Sequence, residues 1–145
     1  MADISNAKIT IDAPVARVQE ILFDIGNYPL WSTSIKKAEV LSSDGQGRVS
    51  SAKLTIDAGA LKDRVTLDYD WTNAPNRLEF SLADADLLTE MDGAYIIESD
   101  DEDTTTVTYE LIVALSMPVP AMMRKKAEQS TIDLSLEQLK AHAEA

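Results

Sequence analysis

The chain has no cysteine, one histidine and, in 145 residues, only five glycines and five prolines. Without a thiol there can be no disulfide, no thiolate zinc site and no cysteine nucleophile. His142 stands near the C-terminus with no partner at ligand spacing, so the reading calls for no metal and no cofactor. Long apolar runs are missing too: no uninterrupted stretch approaches the roughly 20 residues of a spanning helix. The opening MADISNAKITID places no basic segment ahead of an apolar one. These absences predict a cytoplasmic protein without stable membrane insertion. Positive charge is scarce, with 13 Lys and Arg against 25 Asp and Glu and a net charge of −12. That balance excludes a groove built to neutralise phosphates, and no nucleic-acid partner is expected. The one local exception, Arg124-Lys125-Lys126, reads as a solvated face; attraction of an acidic ligand group or brief contact with anionic headgroups is its other use. There is no phosphate-cradling glycine loop and no nucleophile elbow.

What is present is patterning. An apolar fraction of 45% over a length typical of one domain supports a single substantial core, and no repeat, linker or low-complexity tract divides residues 1–145. Residues 7–11 alternate as a first strand. Asp12-Ala13-Pro14 then opens a helix, with proline in its first turn and aspartate available to accept free amides. Val15, Val18, Ile21, Leu22 and Ile25 recur at intervals of three and four, and Gly26-Asn27 supplies a stop. Residues 28–32, Tyr-Pro-Leu-Trp-Ser, form a tight corner or a second short helix, in which Trp31 reads as a plug beneath the helices.

From there the pattern is strand-like, with turn chemistry at each break. Six strands are expected at 36–41, 48–58, 62–71, 77–83, 88–98 and 104–117, joined as a meander. Pro118 and Pro120 end the last one. The remainder, without internal Gly or Pro, reads as one long helix. Its inner face is thinly furnished: Met122, Met123, Ala127, Leu134 and Leu139 are interspersed with Ser130 and Thr131. Such a helix either roofs a space or packs with imperfect periodicity.

Strand parity sorts side chains by face. Taking the large apolar members as inward gives Ala52, Leu54 and Ile56; Val65, Leu67, Tyr69 and Trp71; Leu78, Phe80 and Leu82; Met91, Tyr95 and Ile97; and Tyr109, Leu111, Val113, Leu115 and Met117. The same parity sends Asp57, Asp68, Asp70, Glu79, Glu90, Asp92, Glu98 and Glu110 to the solvated face. Only tyrosine hydroxyls, Ser50 and Arg48 share the inward parity as polar groups, which is thin equipment for acid–base catalysis. A bulge at Asp92-Gly93 would reverse the parity and could bring Glu90 or Asp92 inward. Tyr69, Tyr95 and Tyr109 could orient a mostly apolar ligand or could be ordinary core residues with paired hydroxyls.

The segments Ile9-Thr10-Ile11-Asp12-Ala13-Pro14 and Phe23-Asp24-Ile25-Gly26-Asn27-Tyr28-Pro29-Leu30-Trp31 resemble the opening signature of the START-like, or SRPBCC, superfamily. The likeness spans nearly the whole chain and is nearest to small bacterial polyketide cyclase/dehydrase-like proteins. It implies an α+β helix-grip fold: a curved antiparallel sheet of about seven strands, in the order β-α-α-β6-α, wrapped around a long C-terminal helix. It further implies a hydrophobic cavity between sheet and helix, though no common reaction. On this reading the ligand-binding candidates are Leu54, Ile56, Leu67, Tyr69, Trp71, Phe80, Met91, Tyr95, Tyr109, Leu111, Val113, Met123 and Ala127. The cavity mouth implied by the resemblance falls on residues 58–61, 84–87 and 119–123, with Gly59, Leu61, Leu87 and Val119 as the gate.

The reading leans toward a non-catalytic binder or carrier of a small hydrophobic molecule such as a lipid, polyketide or aromatic metabolite. A cyclase or dehydratase acting on a polyketide-like substrate, and an interaction or stress-related module with a filled core, are the alternatives. The sequence sets no oligomeric state.

Overall fold

Seven alternating segments pair into one antiparallel sheet in the computed structural model, which describes residues 4–57 and 62–145. In chain order β1 (Ser5–Ile11) precedes α1 (Val15–Phe23), a 3₁₀ helix (Ile25–Leu30), β2 (Ile35–Ser43), β3 (Val49–Asp57) and β4 (Lys62–Asp70). Then come β5 (Arg77–Ala85), β6 (Leu88–Ser99), β7 (Thr105–Leu115) and α2 (Ala121–Glu144). The spatial order is β1-β7-β6-β5-β4-β3-β2: a six-strand meander, with the first strand returning to the free edge of the last. This is the α+β sheet-and-helix order expected from the sequence.

Several local expectations differ. Asp24 leaves helical geometry at φ −89° and ψ 69°, so α1 stops at Phe23 and Gly26-Asn27 belong to the 3₁₀ helix rather than to a helix stop. The Asp24 carboxylate accepts from Asn27 Nδ2 at 2.7 Å and its carbonyl from Asn27 N at 3.1 Å, which fixes the corner. Asp12 does not cap α1. Pro14 is the N-cap residue, no side chain reaches the free amides, and the Asp12 backbone N–H instead donates to Glu144 Oε2 at 2.9 Å. The last strand ends at Leu115, leaving Met117 65% exposed beyond it.

The ladder irregularities also fall elsewhere. In β6 the register shifts between Leu88 and Glu90, so Leu88 and Met91 are both buried while Glu90 and Asp92 stay exposed. In the β2–β3 pair it shifts between Val40, Ser42 and Ser43, which turns Val49 into the core and sets the Ser50 hydroxyl against Ser42 at 2.8 Å. Ser50 is therefore not an inward polar group. Arg48 is not one either: it pairs with Asp44 at 2.9 Å and lies over the Trp71 ring.

The long helix presents Glu128, Thr131, Ile132, Ser135, Leu136, Leu139 and Ala143 as one buried stripe with spacings of three and four. Burial of Ile132, Leu136 and Leu139 contributes about 1.5–3 kcal/mol each. Thr131 and Ser135, on the same stripe, add little and leave room. The helix packs chiefly on β1 and β7, whereas the 3₁₀ helix packs on β2 and β3. The inward rows of the middle strands are thus bridged from two sides.

Position of α2 is set by polar contacts. Among the described residues the ladder of β1 begins at Ser5, opposite Leu111, and no strand residue there accepts from the Val113 N–H. The buried Glu128 carboxylate takes its place, accepting from Val113 N at 2.7 Å, Ser5 Oγ at 2.8 Å and Arg124 Nη1 at 2.8 Å. At the far end Arg17 donates to the Ala143 and His142 carbonyls at 2.7 and 3.2 Å, satisfying acceptors that a helix C-terminus leaves free. Lys140 donates to the Thr10 carbonyl at 3.0 Å.

Glu128→Ala leaves the Val113 amide without an acceptor and Arg124 without its partner. Chemical denaturation should show a loss of about 2–3 kcal/mol, with Glu128→Gln losing less. A change under about 0.5 kcal/mol, the level of an ordinary surface substitution, would contradict the anchoring role.

Candidate functional site

Between the sheet and α2 lies a partly enclosed cavity. Its floor comes from Leu54 and Ile56 of β3, Leu67 and Tyr69 of β4, Phe80 of β5, Met91 and Tyr95 of β6, and Tyr109 of β7. Its rim comes from Tyr28, Trp31, Ser32, Ser34 and Ile35 at the corner, and its roof from Thr131 and Ser135 of α2. The space open to a water-sized sphere is about 40 Å³. One water needs roughly 10–15 Å³ on that measure, and ligand pockets commonly run to roughly 300–1,000 Å³. As it stands the cavity holds a few small-molecule atoms, and a larger guest must displace side chains.

The aromatic floor is continuous. Tyr95 and Tyr109 stack with ring centroids 4.4 Å apart, and Phe80 lies 6.1–6.5 Å from Tyr69, Tyr95 and Tyr109. Gly93 makes the position of Phe80 possible: a Cβ there would stand 2.5 Å from Phe80 Cζ and 2.7 Å from the Glu110 carbonyl oxygen. At the corner Tyr28 meets Trp31 edge-on at 5.2 Å and donates its hydroxyl to the Leu22 carbonyl at 2.5 Å. Thr33 and Gln138 exchange two hydrogen bonds, at 3.0 and 2.7 Å, and so tie the corner to α2 above the cavity.

Among the described residues, no Lys, Arg, His, Asp or Glu lines this cavity. Its titratable groups are phenols. Burial raises Tyr28, Tyr69 and Tyr95 well above the ordinary phenol value, and neighbouring phenols push the same way. Burial pushes Tyr109 up to about 12, with a hydrogen bond from Tyr95 working against it. At neutral pH these hydroxyls are protonated and serve as hydrogen-bonding groups, not as bases. Two buried side-chain atoms have no hydrogen-bond partner among the described residues: Trp31 Nε1 and Ser32 Oγ. An unpaired buried polar group costs on the order of 1–3 kcal/mol.

Of the residues singled out by sequence, Leu54, Ile56, Leu67, Tyr69, Phe80, Met91, Tyr95 and Tyr109 border the cavity. The others lie elsewhere. Trp71 follows the end of β4, where its indole donates to the Val49 carbonyl at 2.7 Å and its ring meets Phe23 edge-on at 5.1 Å. Leu111 and Val113 are buried on β7, the strand on which α2 packs, and fill core. Met123 is 62% exposed and Ala127 half-buried, because the buried stripe of α2 begins only at Glu128. Trp31 does plug the corner, yet it also borders the cavity.

The gate residues divide similarly. Gly59 and Leu61 lie outside the described residues. Leu87 is half exposed and Val119 half-buried, and neither borders the cavity. Asp63 fixes the backbone at Leu87. Its buried carboxylate accepts from the amides of Asp86, Leu87 and Leu88 at 3.1, 3.0 and 2.8 Å, clamping the β5–β6 turn. Sequence reasoning did not single out Asp63, Glu128, Ser32, Ser34, Ile35 or Ser135. Asp63 sits near the start of β4 with its partner amides on the β5–β6 turn, Glu128 sits on α2 with partners on β7, β1 and its own helix, and the corner serines lie in irregular backbone without a period.

The sequence matches the family described as polyketide cyclase / dehydrase and lipid transport over residues 11–140. No curated protein matches it. Among solved structures it is similar to a START superfamily protein from Mycobacterium smegmatis, with 23% identity, a TM-score of 0.92 and 97% of each chain covered. A protein from Thermus thermophilus matches at 21% identity and a TM-score of 0.82, again over 97% of each chain. The Zhui aromatase/cyclase from Streptomyces sp. R1128 matches at 18% identity and a TM-score of 0.76, over 98% of this chain and 93% of that one. At these identities the likeness is one of fold.

All four tyrosines are buried with raised pKa values, which fixes an alkaline behaviour. Unfolded phenols titrate near about pH 10. Above that pH the unfolded chain releases protons that the native one retains, so stability is intact below about pH 10 and falls as pH rises toward 12. Phenolate absorbance should therefore appear only together with unfolding. A tyrosine titrating reversibly near pH 10 in the folded protein would contradict the enclosed geometry.

Proposed function

The chain belongs to the polyketide cyclase / dehydrase and lipid transport family, and from that premise we propose that it binds a small, mainly apolar molecule between the sheet and α2. In this reading it is a binder or carrier and not a catalyst. The observation that carries it is the chemistry of the cavity wall. Aliphatic and aromatic side chains form the bulk, and the polar groups among the described residues are neutral hydroxyls and one indole. Burial of an apolar guest supplies affinity, and those neutral groups supply orientation.

Proton transfer at neutral pH calls for a group whose pKa lies near the working pH. The phenols are displaced away from it by burial. The likeness to an aromatase/cyclase is one of fold and adds no reaction to this reading. Buried charges in this chain hold architecture instead: Glu128 pins α2 and Asp63 clamps a turn.

The small resting volume sets the kind of guest and the manner of its entry. A molecule larger than a few heavy atoms needs side chains to move, and the wall contains pieces suited to that. Met91 has an unbranched chain that repacks readily, and Thr131 and Ser135 place little bulk in the roof.

Two measurements test the reading together. Native mass spectrometry of protein purified from its own host should show a bound apolar molecule that organic extraction removes. Ser135→Val should fill the space, hold or raise stability by up to about 1 kcal/mol, and weaken binding of that molecule at least about tenfold. Apo protein alone, with no binding of small apolar probes by the wild type, would refute the reading.

A further inference from the structure

Eight large apolar side chains lie exposed among the described residues, and four of them, Leu87, Met117, Met122 and Met123, belong to one end of the molecule. Strand pairing brings them there. Leu88 stands opposite Leu115 and Val65 opposite Ala85, so the β5–β6 turn, the end of β7 and the start of β4 lie together. Ser116 N donates to the Leu87 carbonyl at 3.2 Å, which sets Met117 beside that turn. Pro118-Val119-Pro120 then leads into α2, whose first turn presents Met122 at 82% exposure.

Positive charge gathers at the same end. Lys36, Lys62 and Arg64 line an open groove with Leu87, and Lys125 and Lys126 lie exposed on the second turn of α2. Arg64 is paired with Asp86 at 3.0 Å and Arg124 with Glu128 at 2.8 Å, so the lysines carry the local field. Beside these four lysines stand three further acids, Asp57, Asp84 and Glu90, which leaves a positive end on a chain whose net charge is −12. The acidic turn at 100–103 lies beyond the far end of β7, eleven residues or roughly 35 Å away. That is several times the Debye length of about 8 Å at physiological ionic strength, so its repulsion is screened here.

We propose that this end docks on an anionic lipid bilayer, with Leu87 and the three methionines entering the headgroup layer and Lys62, Lys125 and Lys126 meeting anionic headgroups. None of these residues borders the cavity, so the docking goes beyond the binding reading and does not rest on it. Methionine repacks readily against fluid surroundings, and lysine keeps its charge in water while its stem covers apolar surface. Protein interfaces are commonly rich in aromatic residues and poor in lysine, the reverse of the residues gathered here. A second copy of the chain would bring another −12 and the same lysines, so like charge would meet like. No helix among the described residues is long and apolar enough to cross a bilayer, and the contact is a peripheral one.

The absence of cysteine makes the test clean, since Met122→Cys and Asp101→Cys each give one attachment point for a polarity-sensitive dye. On phosphatidylcholine vesicles containing phosphatidylserine, the dye at position 122 should brighten and shift to the blue, and the dye at position 101 should not. High salt, or phosphatidylcholine alone, should abolish the shift. In sedimentation of the unlabelled chain with the anionic vesicles, Lys126→Glu should weaken binding at least about fivefold, the effect of one surface charge. Lys8→Glu, the same change at an exposed site on β1, should stay within about twofold. Met123→Ser alters a side chain that is already exposed, so it should fold normally and weaken binding about threefold or more.

If anionic vesicles leave the dye at position 122 unshifted, if phosphatidylcholine alone shifts it equally, or if Lys8→Glu weakens binding as much as Lys126→Glu, the docking assignment is wrong. A dye at position 122 that responds to an acidic protein but not to vesicles overturns it as well. Each of these failures leaves the cavity reading standing, because that reading is tested by a guest extracted from the interior.

Discussion

A buried carboxylate at the join of helix and sheet governs the rest of this structure. Beyond the Ser5–Leu111 pair no described strand residue accepts from the Val113 amide, and Glu128 supplies the acceptor from α2. That bond, with Ser5 and Arg124 completing the carboxylate's partners, sets the helix over β1 and β7 and not over the middle of the sheet. The opposite side is closed by the 3₁₀ helix on β2 and β3. What remains between the two supports is a strip of the sheet's inner face whose roof is made of Thr131 and Ser135. The cavity is thus a consequence of where the helix is anchored as much as of which residues line it.

The same division of labour runs through the polar groups. Charges that lie inside are each saturated by backbone amides or an arginine, and they act on architecture: Glu128 on the helix, Asp63 on the β5–β6 turn. The polar groups of the residues around the cavity are neutral. An apolar wall with a small number of fixed donors favours recognition through shape and one or two hydrogen bonds. The modest resting volume means that affinity for any larger guest is reduced by the energy of moving Met91 and its neighbours, so flexibility of the wall becomes part of the selectivity.

Much of this was legible in the sequence because strands have a period of two. Alternation alone put Leu54, Ile56, Leu67, Tyr69, Phe80, Met91, Tyr95 and Tyr109 on one face, and the structure sets all eight around the cavity. Parity does not say which part of that face a helix covers. Leu111 and Val113 therefore share the row but lie in packed core, and Trp71 lies where its ring meets Phe23. On α2 the small residues were visible, but the start of the buried stripe at Glu128 was not, which is why Met123 was placed inward and is exposed. The corner was hardest. Residues 31–35 have no regular period, and their importance comes from backbone bonds to Tyr28 and side-chain bonds to Gln138, more than 100 positions away.

The central claim is that an open, mainly apolar space exists between the aromatic floor and the roof of α2. Crystals exposed to xenon under pressure test it directly, since apolar protein cavities take up this gas. The account predicts a xenon atom bounded by Tyr69, Phe80, Tyr95 and Thr131, and its loss in Ser135→Val. Xenon bound only at the surface, with that region fully occupied by side chains, would contradict it.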